Sequence, residues 1–207
     1  VARAYTKRDK VLVCGYHGWH DWYTVNTEKS SGIPEEYKSH IYKFDYNNLE
    51  QLEGLLHEDV AAVVMEPIIY EKPKEGYLEG VKRLCAGNGT LLVFDEVVTG
   101  FRWALGGAQE KYNVIPDLAC FSKAMGNGYP IGCLVGTSAY MSVFDQDDFF
   151  ISGTFSGDLV GIAAAIATME YLDNYNVLPH IWNAGRILKE GFNNVAKKLD
   201  LQFANCR

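Results

Sequence analysis

The chain has 207 residues, 48% of them hydrophobic and 22% charged, enough for a folded domain with a core of its own. Acidic residues (26) outnumber basic ones (19) for a formal charge of −7, and no basic stripe is present, so nucleic-acid binding has no footing. The longest apolar run, Leu159 to Met169, is too short to span a bilayer, and no signal peptide opens the chain.

Val1 to Lys10 reads as the tail of a helix. Five short apolar runs then recur, each ending abruptly in polar or glycine residues: 11–15 (VLVCG), 61–65 (AAVVM), 91–94 (LLVF), 118–122 (LACFS) and 133–137 (CLVGT). Runs of this kind are what strands buried on both faces look like. Helical patterns lie between and after them. Residues 47–59 place Leu49, Leu52, Leu55 and Leu56 on one face, and 78–89 repeats the idea and stops at glycine. Residues 159–175 form a tightly packable small-residue helix, and a long amphipathic helix follows from near Pro179. The chain stops at QFANCR (202–207), where a new strand would begin, and it starts without methionine; both ends read as cut. Alternating strands and helices predict an α/β fold with a mainly parallel sheet flanked by helices.

The cysteines at 14, 85, 120, 133 and 206 are odd in number and contain no CxxC pair, which suits a reducing, cytoplasmic setting. Cys14, Cys120 and Cys133 lie in apolar runs and read as small core residues.

In a parallel sheet, chemistry collects beyond the carboxyl ends of the strands. Four runs end in a capable residue: Tyr16/His17, Glu66, Asp95 and Lys123. A lysine crowded by apolar neighbours at a strand end has a lowered pKa and attacks carbonyls; the plain alternative is a surface lysine in a turn. Asp95 ends a buried strand and needs a partner, either a protonated pyridine nitrogen or an arginine such as Arg102. Glu96 stands beside it, but neighbours on a strand face opposite ways. His17, His20 and Asp21 do not have a known ligand spacing, and His40, His57 and His180 are isolated, so no metal is expected. GNGYPIG (126–132) joins two apolar runs and reads as a turn between strands, not a dinucleotide fingerprint. Ser152–Gly157 precedes a helix and suits either a phosphate or simple capping by Thr154 or Ser156.

LLVFDEVVTGFR (91–102), PDLACFSKAMGNGYPIG (116–132) and SGTFSG (152–157) occur in the order and spacing of the class III aminotransferases, which the chain resembles over nearly its whole length. The resemblance implies the large domain of a fold-type I pyridoxal-phosphate (PLP) transferase, spanning residues 1–207 and incomplete: a phosphate loop is expected before Val1 and a small domain after Arg207. It implies that Lys123 is the Schiff-base lysine and proton shuttle, and that Asp95 is the partner of the pyridine nitrogen. Val97 and Tyr16, with His17 in the same YHG motif, would line the cofactor. Glu66 would lie near its phenolic oxygen or the substrate gate, and Thr154 would reach the phosphate in a neighbouring subunit. A homodimer with shared sites, handling a small amino donor and acceptor, follows. FDEVVTGFR with GAQEKY and PDL looks closest to the glutamate-1-semialdehyde aminomutase branch. IIYEKPKEG after Pro67 and Met125-Gly126-Asn127-Gly128 depart from that branch, and Val98 stands where many transaminases carry glutamine. Transaminase and aminomutase both remain open, as does a non-catalytic relative.

Overall fold

A computed structural model describes residues 1–201. In chain order the elements are α1 (Ala2–Thr6), β1 (Lys10–Cys14), α2 (Asp21–Thr24), β2 (Ile41–Lys43), α3 (Leu49–Leu55), β3 (Val60–Met65), α4 (Tyr77–Asn88), β4 (Leu91–Asp95), α5 (Ala108–Tyr112), β5 (Leu118–Phe121), β6 (Cys133–Gly136), α6 (Ser138–Met141), α7 (Leu159–Asn174) and α8 (Val177–Lys198). The strands form one sheet in the order β2-β1-β3-β4-β5-β6. All neighbours pair in parallel except β5 and β6, which are antiparallel, so the sheet is mainly parallel as expected.

Alternation along the strands builds a core on each face. Leu12, Cys14, Val63, Met65, Leu92 and Phe94 point to one side, where Leu52 of α3 and Leu78, Val81 and Cys85 of α4 cover them. Val11, Val13, Ala62, Leu91, Val93 and Leu118 point to the other, against Tyr23, Val25 and Ile41. Burying one such large side chain contributes about 1.5–3 kcal/mol, which is why the continuous apolar runs become central strands.

Local chemistry sets the helix ends. The Asn48 side chain accepts the Gln51 N–H at the start of α3, and α4 stops at Gly89, whose φ of 67° suits a residue without Cβ. Pro179 falls in the first turn of α8, where its missing N–H costs nothing, so the helix begins at Val177, slightly before the expected point. At the amino end of the sheet Arg8 Nη1 donates to the carbonyls of Val60, Asn88 and Gly89, tying β3 to the end of α4.

Four expectations change. The edge strand β2 was not foreseen, because only Ile41 of its three residues is buried. Cys133 is exposed, since β6 is the opposite edge of the sheet, whereas Cys14 is buried and Cys120 half-buried. In α7 only Gly161, Ala165 and Leu172 are buried, so the small-residue helix is open along much of its length. Neither Thr154 nor Ser156 caps it: Asp158 accepts the Gly161 N–H at 2.9 Å. The strand expected from residue 202, and Cys206, lie outside the described residues.

Candidate active site

The carboxyl ends of β1, β3, β4 and β5 lie side by side, and each delivers a polar residue to the same rim. β1 ends at Cys14 and is followed by Gly15, with φ at 108°. A Cβ there would sit 2.5 Å from Glu66 Oε2, so glycine is needed for conformation and closeness alike. The chain turns over the end of β3, and the Tyr16 N–H donates to Glu66 Oε2 at 2.8 Å. The Tyr16 ring is exposed, edge-on to Tyr23.

His17 reaches across β3 to β4. Its Nδ1 lies 2.7 Å from Asp95 Oδ2, and its side chain is only 2% exposed. An ionised carboxylate only accepts, so Nδ1 carries the proton. Trp22 stacks on the imidazole and Tyr23 meets it edge-on, at centroid distances of 6.3 and 5.4 Å. The other ring nitrogen, Nε2, is buried without a hydrogen-bond partner among the described residues. The second Asp95 oxygen accepts the Val97 N–H at 3.1 Å. Asp95 is therefore aimed by His17 and Val97, not by Arg102, whose Nη1 donates to the Phe101 carbonyl.

Glu96 belongs to a different structure. It is fully buried and points the opposite way, as strand alternation requires. It accepts from the Thr99 hydroxyl and, at 2.8 Å each, from the backbone N–H groups of Ala108 and Gln109 at the start of α5. This cap was missed in the sequence; the Gly-Ala-Gln helix start with no capping side chain of its own was the available signal.

Lys123 follows β5 after one extended residue and opens a short 3-10 turn, with its own φ at 42°. It is exposed, which corrects the expectation of an amine crowded by apolar neighbours: it stands at the rim facing open cavities, not inside the sheet. It forms no salt bridge among the described residues. The Glu66 carboxyl is pushed above its ordinary value by burial first, and by the Asp95 carboxylate; the Tyr16 N–H, His17 and Lys123 pull the other way. Glu66 thus feels Asp95, His17 and Lys123 together.

Thr154 is not part of this constellation. It is exposed and lines neither cavity that Lys123 lines. His20 is exposed and stacks on Trp19 instead of joining His17. Among the described residues no group of three or more His, Cys, Asp or Glu side chains converges as a metal site.

Known proteins resemble this chain in sequence and fold. The 3-aminobutyryl-CoA aminotransferase of Cloacimonas acidaminovorans (strain Evry) is 44% identical over 90% of this chain and 46% of its own length. A glutamate-1-semialdehyde 2,1-aminomutase of Methanosphaera stadtmanae is 37% identical over 98% of this chain and 52% of its own. Among solved structures, the PLP internal aldimine form of the FumI protein of Sphingopyxis sp. MTA144 superposes with a TM-score of 0.87 at 29% identity, covering 95% of this chain and 49% of that one. The chain thus spans about half the length of the curated relatives it matches. The sequence profile described as Aminotransferase class-III matches residues 2–207, and the chain belongs to that family.

Proposed function

We propose that this chain is the cofactor-binding large domain of a PLP-dependent aminotransferase, with Lys123 as the residue that attaches the cofactor. The observation that carries the reading is a matched pair at the rim of the sheet. Asp95, at the end of β4, is a carboxylate held by His17 and the Val97 N–H. One strand away, at the end of β5, Lys123 is an exposed amine without a carboxylate partner among the described residues. These residues fit the cofactor by their chemistry: a fixed carboxylate suits a protonated ring nitrogen, and a free amine suits an aldehyde. When bound, PLP supplies that aldehyde and a ring that accepts the electron pair released at the substrate carbon.

The residues divide the work. Lys123 Nζ would hold the cofactor, and the same amine would carry the proton at the substrate carbon. Asp95 would stabilise positive charge on the ring nitrogen, and the His17 Nδ1–H orients its carboxylate. Tyr16 and Val97 would pack against the cofactor ring, and Glu66 would serve its phenolic oxygen or the substrate gate. Thr154, exposed and apart from its own chain's site, serves a second copy in a homodimer, and the apolar residues exposed on α7, Leu159, Val160 and Ile166, favour such a partner. The rest of the site belongs to the half of the relatives' length that this chain does not span. The free cysteines favour a cytoplasmic enzyme. Among the described residues no helix is long and apolar enough to cross a membrane.

The test is borohydride reduction of the full-length holoenzyme followed by peptide mapping. The cofactor is expected on Lys123, and Lys123→Ala should abolish trapping; a cofactor still trapped in that variant overturns the assignment. The aminomutase reading is favoured by relatives such as the Methanosphaera stadtmanae enzyme. Conversion of glutamate-1-semialdehyde without any added amino acceptor would select it over the transaminase.

A further inference from the structure

Ser122 is the one residue between β5 and the turn that Lys123 opens. Its backbone is extended, with φ at −164° and ψ at −150°. The chain then bends sharply at Lys123, whose φ of 42° lies in a region that residues other than glycine rarely occupy. Such a bend persists only where its surroundings hold it from both sides. After the bend, the Lys123 carbonyl accepts the N–H groups of Gly126 and Asn127, at 3.2 Å each. Before it, the half-buried Ser122 hydroxyl donates to the Ile131 carbonyl at 2.6 Å.

The acceptor is itself fixed. The segment 126–131 folds back so closely that a Cβ on Gly126 would lie 2.5 Å from the Tyr129 carbonyl oxygen and 2.6 Å from Ile131 Cγ2. From the other direction α7 closes in: a Cβ on Gly161 would stand 3.2 Å from the Pro130 carbonyl oxygen and 3.5 Å from Ile131 Cβ. Ile131 also packs against the buried cluster that holds Phe94 and Phe121. The Lys123 side chain has no comparable support, being exposed. Ser122, Lys123, Pro130 and Ile131 line one open cavity of about 490 Å³. The backbone beneath Lys123 therefore sets the direction in which its amine enters that cavity.

We infer that Ser122 is a positioning residue for the lysine: its hydroxyl, tied to the Ile131 carbonyl, sets the angle at which Lys123 presents its amine to the cofactor. Without that bond the bend relaxes toward commoner backbone conformations. A long side chain turns a small backbone rotation into a large displacement at its tip, and reactivity depends steeply on such alignment. The inference rests on the aminotransferase reading.

The experiment compares the full-length protein with its Ser122→Ala, Ser122→Thr and Ser122→Cys variants. Threonine keeps the hydroxyl, whereas cysteine keeps the shape with only a weak donor. Two quantities are read: the rate at which the cofactor-free protein captures added PLP on Lys123, by borohydride trapping at timed intervals, and the pH midpoint of the holoenzyme's cofactor absorbance. Ser122→Ala should slow capture about threefold to tenfold, the factor that one hydrogen bond commands, and shift the midpoint by about half a pH unit or more. Ser122→Cys should resemble it, and stands in for it if the alanine variant does not fold. Ser122→Thr should stay within about twofold of the parent. Parental capture and midpoint in the alanine or cysteine variant overturn the inference. A lowered melting temperature with an unmoved midpoint does so too, since the hydroxyl would then serve only the fold, and so does a threonine variant as impaired as alanine. Failure to trap cofactor on Lys123 in the parent sinks the aminotransferase reading, whereas trapping in the parent with unmoved variants sinks only the role of Ser122.

Discussion

Glu66 is caught between burial and hydrogen bonding. Burial and the Asp95 carboxylate raise its carboxyl above the ordinary 4.5, while the Tyr16 N–H partly restrains the rise. A carboxyl that binds its proton more tightly folded than unfolded adds stability that is complete below 4.5 and is lost as pH climbs through the raised folded value. Glu66→Gln keeps an acceptor for Tyr16 and removes the titration. Stability of the parent relative to that variant, from urea unfolding across this range, should decline with rising pH; a difference independent of pH contradicts the account. At this scale much was readable. Asp95, Glu66, His17 and Lys123 were all visible as polar residues closing apolar runs. What could not be read was how Asp95 is held. His17 lies 78 residues away, and an arginine seven residues on, Arg102, was an equally lawful partner until the strands were in place.

The start of α5 depends on a side chain from the end of another element. Gly107, with φ at 84°, precedes the helix and offers no cap, so the N–H groups of Ala108 and Gln109 turn to Glu96. A Cβ on Gly107 would lie 2.4 Å from Glu96 Oε2, which shows how closely the loop wraps the carboxylate. Removing that acceptor strands buried donors, each costing about 1–3 kcal/mol. Glu96→Ala should therefore lose about 3 kcal/mol or more in urea unfolding, and Glu96→Gln distinctly less; a loss below about 1 kcal/mol for the alanine variant would exclude the capping role. The lesson for elements is similar. The five apolar runs all became strands, and although β6 is an exposed edge, the other four are buried as their continuous signature implies. β2 left none, because a three-residue edge strand with one buried side chain looks like any loop.

The site of the whole molecule depends on how the Thr99–Trp103 turn seats against β5. Gly100 is the contact: a Cβ there would meet the Phe121 ring at 2.4 Å and the Glu96 carbonyl at 2.8 Å, and neither is a flexible side-chain end. Gly100→Ala should cost about 1–3 kcal/mol by overpacking and, by displacing the end of β5, reduce the yield of cofactor trapped on Lys123. Thermal unfolding and borohydride trapping read the two effects; full stability with full trapping would show that the turn and the strand are not tightly coupled.

The residue order alone determined that a parallel sheet forms and that its rim carries an amine, carboxylates and an imidazole, because apolar runs stop where strands leave the core. Only the tertiary structure decided that β3 lies between β1 and β4, that His17 spans it to reach Asp95, that Lys123 faces open space, and that α8 returns to the Arg102 turn across 80 residues. Those outcomes come from pairings between distant segments, settled by packing of whole layers against one another, and local propensity holds no record of them.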